Sequence, residues 1–441
     1  MKQVLILGAG RSSTSLINYL LEHAGEDQWK VTIGEQDTAL AQKKFPEAEV
    51  IPFDIMNHDL AKSEIEKADL VISMVPASLH IYVAKICAAV GRDMLTASYV
   101  SDDIKALSGE FEAQGNQCIM ELGLDPGIDH MSAMKVLDRI KAAGHELTAF
   151  ETFTGGLLAN DQKMDNPWKY KFTWNPRNVV MAGTGNVKFI QEDRFKYIPY
   201  HKLFSRTEVI HIPEHGYFEG YANRDSLKYL DLYNLRGIKT LYRGTLRRPG
   251  FCKAWNIFVQ LGATDDSYQM ENVSEMTHRQ FINSFLLYNP NDSIELKLAH
   301  YMNLGMESEE MHKMKWLGMF SDELVGVDKG TPAQILEHIL KKKWTLSPDD
   351  QDMIVMWHKF NYLDNGQPKE IQSHMVAVGD DAVNTAMSKT VGLPLAIAAK
   401  LVLQGKLKTK GVHIPTIKEI YEPILDELEK MGFEFSEREV I

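Results

Sequence analysis

The stretch Lys2-Gln3-Val4-Leu5-Ile6-Leu7-Gly8-Ala9-Gly10-Arg11-Ser12-Ser13 decides how the chain is read. An apolar run long enough for one buried strand stops at two glycines, and TSLINYLLEHA (14–24) follows with helical spacing. Gly8 permits a tight turn and Gly10 lets the backbone approach a pyrophosphate. Ser13 stands where a third glycine would allow close helix–strand packing, a place a small residue can fill. Backbone amides of the next turn, from Arg11 and Ser12 on, then present partial positive charge to phosphate. A solitary Gly-x-Gly is equally the mark of an ordinary strand–turn–helix, so its surroundings decide.

Outward from this stretch, strands and helices alternate. WKVTIGEQD (29–37), EVIPFDI (49–55), ADLVISMVP (68–76), DMLTASYV (93–100) and QCIMELGLDPG (117–127) read as strands. TALAQKKF (38–45) and LHIYVAKICAAVG (79–91) read as helices. Such alternation implies a parallel sheet covered on both faces. The expected fold is α/β, a Rossmann-type doubly wound sheet over 1–128 completed by 390–441. An inserted α+β substrate domain is expected over 129–290 with 363–389. The helical spacing of ELKLAHYMNLGM, TPAQILEHILKKKW and DDQDMIVMWHKFNYL suggests a helical subdomain over 291–362.

Glu35 ends the second strand, where a carboxylate accepts hydrogen bonds from the adenosine ribose and repels a 2′-phosphate. Gln36-Asp37-Thr38 follow without a cation, so NAD is favoured over NADP. Asp54, after the third strand, suits either an adenine contact or a simple turn.

Composition narrows the function. Forty-eight Lys and Arg against 60 Asp and Glu leave a net charge of −12, which argues against nucleic acid as a partner. Cys87, Cys118 and Cys252 are widely spaced and contain no C-x-x-C pair, which excludes a disulfide framework or thiolate zinc site and suits a reducing compartment. The N-terminus opens as a strand, not a signal peptide, and the apolar stretch 391–407 carries Lys400 and is short for a bilayer span. A cytoplasmic enzyme of small molecules, without metal, membrane or nucleic acid and with apolar C-terminal helices suited to a homodimer, is the expectation.

Four segments carry a family resemblance. Leu122-Gly123-Leu124-Asp125-Pro126-Gly127-Ile128-Asp129-His130 is similar to the GLDPGIDH signature of saccharopine dehydrogenases and reductases. Asn223-Arg224-Asp225-Ser226 and Arg243-Gly244-Thr245-Leu246-Arg247 resemble the NRDS and RGTLR segments of the same family. Thr154-Gly155-Gly156-Leu157 resembles its CGGLP-type loop, with threonine in the place of cysteine. A hydroxyl replaces a thiol as a hydrogen-bond donor but not as a group ionising near neutrality.

The resemblance implies interconversion of saccharopine with L-glutamate and 2-aminoadipate 6-semialdehyde, with NAD or NADP, in lysine metabolism. It implies Arg224, Arg247, Asn223, Gly155 and Gly156 on the substrate, and Asp125, Tyr99 and Thr154 at the reacting centre. It implies Val75, Pro76, Ser98, Leu124 and Pro126 beside the cofactor. The chemistry agrees, because a tricarboxylate needs cationic forks, and an arginine makes two parallel charge-assisted bonds to a carboxylate. Isolated arginines are more often surface residues, here with Asp225 or Asp231 as partners. His80 and His130 attract a general-base role, yet are read as a polar-side helix residue and an early-helix residue. Two alternatives stand: reduction of another imine, as by carboxynorspermidine dehydrogenase, and a non-catalytic dinucleotide-binding regulator.

Overall fold

The computed structural model describes residues 1–159 and 165–440. The chain divides into two compact units, one formed by 1–147 with 375–436 and the other by 148–374 with 437–441.

The first unit is built on a parallel sheet. Strands β1 (Lys2–Leu7), β2 (Trp29–Glu35), β3 (Glu49–Pro52), β4 (Leu70–Ser73), β5 (Asp93–Leu95) and β6 (Gln117–Ile119) are joined by the late strand Gly411–His413. Their spatial order is β3-β2-β1-β4-β5-β6 and then the late strand. Val4, Leu5, Ile6 and Leu7 are all buried, as a strand covered on both faces requires. The order reverses between β1 and β4, and ligands of such sheets bind at the carboxyl ends of the strands where it does. Helices form where the caps demand: Asp37 accepts from Leu40 N ahead of Thr38–Lys44, and Asn57 from Leu60 N ahead of His58–Lys67.

The helix Ala386–Leu403 returns to this unit and packs on the helix Thr14–Ala24. It begins five residues before the apolar stretch noted in the sequence, and so by length and composition it is long enough to cross a membrane. Most of it is buried inside the unit, as a core helix is. Gly392 is where the two helices come closest, since a Cβ there would lie 2.7 Å from Leu16 N.

The second unit is a mixed sheet. Strands β7 (Glu146–Leu158), β8 (Val187–Gln191), β9 (Arg194–Ile198), β10 (Glu208–Ile212), β11 (Gly216–Ala222), β12 (Thr240–Arg247), β13 (Asp352–Asp364) and β14 (Gln367–Val378) form it with the strand Ser436–Glu439. β12 runs parallel to β7 and antiparallel to β11. Two expectations change here. Residues 352–364 form a strand, not a helix, and the helices of 291–344 belong to this unit and form no subdomain of their own. The strand is buried on both faces over most of its length, so MIVMWHKF shows no alternation that would betray it. Residues 176–180 form a short helix capped by Asn175 with Pro176 at its first turn.

We expect Gly392→Val to lower the unfolding free energy of the chain by about 2 kcal/mol or more, because backbone cannot yield to the added carbons. Urea denaturation measures it, and a change under about 0.5 kcal/mol would contradict this packing.

Candidate functional site

The glycine turn of the first unit is shaped for close approach. Gly8 has φ +102°, and a Cβ there would lie 2.9 Å from the carbonyl oxygen of Met74 at the end of β4. Gly10 has nothing within 4 Å of the same position, which leaves open space at the head of the helix. Ser13 is buried, and its hydroxyl donates to Gly10 O at 2.8 Å, so the serine closes the turn where a third glycine would stand. Ser12 is half-buried in the same turn, and the side chain of Arg11 lies outside the described residues. These residues fit the pyrophosphate of a dinucleotide.

Glu35 is placed differently from the ribose reader expected. Its Oε2 accepts from Ala9 N at 2.8 Å and its Oε1 from Gln36 N at 2.8 Å, so both oxygens brace the turn itself. Lys44, nine residues on, folds back at the end of the following helix, with Nζ 3.1 Å from Gly10 O. A cation therefore stands beside the glycine turn, although none follows Glu35 directly in sequence. Asp54 is exposed and closes a local turn onto Met56 N at 2.9 Å. Pro76 is exposed and Val75 half-buried just past β4, at the reversal of strand order.

Beyond β5, three consecutive residues are each held by a different element. Ser98 Oγ lies 2.6 Å from His80 Nε2, whose Nδ1 lies 2.8 Å from Ser73 Oγ. Tyr99 OH donates to Asp125 Oδ1 at 2.8 Å. Val100 N donates to Glu121 Oε1 at 3.0 Å. Two of the expected residues of the reacting centre, Tyr99 and Asp125, are thus in direct contact. Leu124 and Pro126 flank Asp125 and are buried, and the Asp125–Pro126 peptide is cis. His80 departs from its reading on the polar side of its helix, being buried at the helix's first residue. His130 lies early in its helix as expected, and is wholly buried with Nε2 2.7 Å from Glu121 Oε2.

In the second unit, Thr154 on β7 lies beside Thr245 on β12. Asn223 Nδ2 donates to Thr245 Oγ1 at 3.2 Å, while its Oδ1 is buried with no hydrogen-bond partner among the described residues. Gly155 and Gly156 continue β7 alongside this group. Arg247, two residues beyond Thr245, points to the same face of the strand roughly 7 Å along. It is 5% exposed, with its guanidinium carbon 5.1 Å from the Tyr170 ring centre and 5.3 Å from that of Phe251. Its Nη1 donates to Leu246 O at 3.0 Å, its Nε has no partner, and no carboxylate pairs with it among the described residues. A buried cation without a counter-ion is costly unless a ligand supplies one. Arg224, by contrast, is exposed, and the carboxylates weighed as its partners are engaged elsewhere: Asp225 by Lys188 at 3.0 Å, Asp231 by Arg236. Sequence reasoning missed Ser73, Glu121, Lys44 and Tyr170, none of which falls in a recognisable motif.

Known protein families resemble the chain over both of these regions. Residues 4–119 match the family model described as the saccharopine dehydrogenase NADP binding domain, and residues 123–433 match the saccharopine dehydrogenase C-terminal domain. The chain belongs to the saccharopine dehydrogenase family. The saccharopine dehydrogenase (NADP(+), L-glutamate-forming) of Saccharomyces cerevisiae is 30% identical over 448 residues, 100% of this chain and 99% of that one. A solved structure of apo saccharopine dehydrogenase (L-Glu forming) from the same yeast is 29% identical and covers 100% of both chains with a TM-score of 0.91. Mitochondrial alpha-aminoadipic semialdehyde synthase of Rattus norvegicus is 34% identical over 450 residues, all of this chain but 48% of the relative. The chain therefore spans about half the length of the mammalian relatives it matches. A homospermidine synthase from Legionella pneumophila shares the fold, at 11% identity and a TM-score of 0.57. The expected preference for NAD is overturned, since both the family model and the fungal relatives name NADP. Its physical basis was the carboxylate of Glu35, which is occupied by the turn's own amides.

Burial holds His80 neutral, its pKa pushed down to about 4 from an ordinary 6.5. The unfolded chain therefore takes up this proton first as pH falls, so the stability His80 contributes is complete above pH 6.5 and is lost towards pH 4. We expect His80→Gln to flatten the loss of stability across this window by an amount on the order of 3 kcal/mol. Denaturation curves at several pH values measure it, and an unchanged slope would contradict the burial of a neutral imidazole. Lys44→Ala is expected to weaken NADPH binding about tenfold by loss of a cation near the phosphates. Equal affinities by fluorescence titration would remove Lys44 from the site.

Proposed function

We propose that the chain is a saccharopine dehydrogenase (L-glutamate-forming) that uses NADP and interconverts saccharopine with L-glutamate and 2-aminoadipate 6-semialdehyde. The observation that carries this is the pair of unmatched buried polar groups in the second unit. Among the described residues, Arg247 offers a guanidinium with no carboxylate, and Asn223 offers an acceptor with no donor. A carboxylate beside an ammonium, the head of an α-amino acid, matches one to the other. Saccharopine carries such a head at its lysine-derived end, and at its glutamate-derived end an α-carboxylate beside the secondary amine itself. The family's NADP domain and the full-length likeness to the yeast enzyme support the same reading.

Oxidation of saccharopine moves a hydride from the carbon next to the secondary amine, and water then adds to the imine and releases glutamate and the semialdehyde. When bound, the dinucleotide takes up that hydride. The chain's part is to orient, to hold charge and to handle the proton of the amine. Tyr99 OH, 2.8 Å from Asp125 Oδ1, supplies a hydrogen-bonded acid–base pair for that proton. Thr154 contributes a hydroxyl but no thiolate, so the proposed reaction does not route a proton through an ionised residue at that position.

The test is turnover of saccharopine followed at 340 nm with NADP and with NAD at equal concentrations. Reduction of NADP coupled to oxidation of saccharopine supports the proposal, and dinucleotide binding without saccharopine turnover would overturn it in favour of another imine or a regulator. Arg247→Lys is expected to raise the KM for saccharopine about tenfold or more, since an ammonium cannot make the forked contact. An unaltered KM would remove Arg247 from the substrate.

A further inference from the structure

The loop that carries Asp125 and the segment that carries Tyr99 meet around one imidazole. Glu121 has a left-handed backbone, φ +62°, uncommon for a residue with a side chain and found where the surroundings enforce it. That conformation goes with a carboxylate turned inward, 4% exposed, with Oε1 on Val100 N at 3.0 Å and Oε2 on His130 Nε2 at 2.7 Å. Glu121 N in turn donates to Ser98 O at 3.0 Å, so this residue grips both neighbours of Tyr99. On the other side of the ring, His130 Nδ1 lies 3.7 Å from Asp129 Oδ2, and Asp129 Oδ1 accepts from Gly127 N at 2.6 Å. Gly127 is two residues beyond Asp125. The imidazole thus stands between two carboxylates, one fixing the backbone next to Tyr99 and the other fixing the loop next to Asp125. All three side chains are buried and away from solvent, where the hydrogen bonds of Glu121 and of Asp129 Oδ1 are stiff and costly to leave unmade, while His130 Nδ1 and Asp129 Oδ2 are at ion-pair distance.

We propose that Glu121, His130 and Asp129 form a strut that positions the hydroxyl of Tyr99 against the carboxylate of Asp125. His130 on this account is a positioning residue and never exchanges a proton with substrate. The strut sets the separation of an acid–base pair, and an error of about an ångström there costs on the order of a hundredfold in rate. The proposal rests on the proposed reaction for its consequence in turnover, though not for its geometry.

The geometry is tested in the full chain without ligand, by placing 3-fluorotyrosine at position 99 and recording its 19F resonance. Asp125→Asn first fixes the direction in which the resonance moves when the partner changes. Glu121→Gln and His130→Gln are then expected to move it in the same direction, with NADPH affinity kept within about threefold because the glycine turn is untouched. Should one of them fail to fold, the other decides. A resonance unmoved by the substitution overturns the strut. In turnover, each substitution is expected to lower kcat about 10- to 100-fold. Combined with Tyr99→Phe, it is expected to add no further loss, because residues acting through one hydroxyl are not additive. Losses that multiply, or an unchanged kcat in a chain that turns over saccharopine, overturn the proposal. Absence of turnover in the unsubstituted chain would count against the substrate reading alone, and the 19F resonance would still decide the strut.

Discussion

A guanidinium buried among aromatic rings, with no carboxylate beside it among the described residues, is the constraint from which the functional account follows. Arg247 lies beside the packed rings of Tyr170 and Phe251, with Leu246 O as its one described hydrogen-bond acceptor. An arrangement of this kind is unfavourable in the free chain and is offset when an anion arrives. Asn223 beside Thr245 supplies the complementary acceptor, and β7, β11 and β12 hold both on one sheet.

The first unit solves a different problem, that of bringing backbone close to phosphate. Gly8 fits against Met74 O, Ser13 closes the turn, and Glu35 spends both oxygens on amides of Ala9 and Gln36. The sheet's reversal between β1 and β4 sets the place, and the ends of β4 and β5 supply Ser73 and Ser98 on either side of His80. A neutral histidine suits this position, since it donates to one serine and accepts from the other without carrying charge into the core.

Much of this was legible in the sequence, and the losses have identifiable causes. The parallel sheet was legible because its strands are short apolar runs that stop at glycine or proline. The strand Asp352–Asp364 was not, because a strand buried on both faces has lost the alternation that distinguishes it from a helix. The cofactor inference failed because only the residues directly behind Glu35 were weighed, whereas Lys44 returns through a helix to the same turn. Arg224 and Arg247 looked alike in sequence, yet one is exposed and the other buried, a difference set by tertiary packing. His130 could be placed at the start of a helix, but its two carboxylate neighbours come together only through the left-handed turn at Glu121.

The most direct test of the central claim is a crystal structure of the chain with saccharopine and NADP bound. The account predicts a substrate carboxylate forked onto the guanidinium of Arg247, with the adjacent ammonium on Asn223 Oδ1. An ordered saccharopine whose carboxylates and ammonium leave both groups untouched would contradict it.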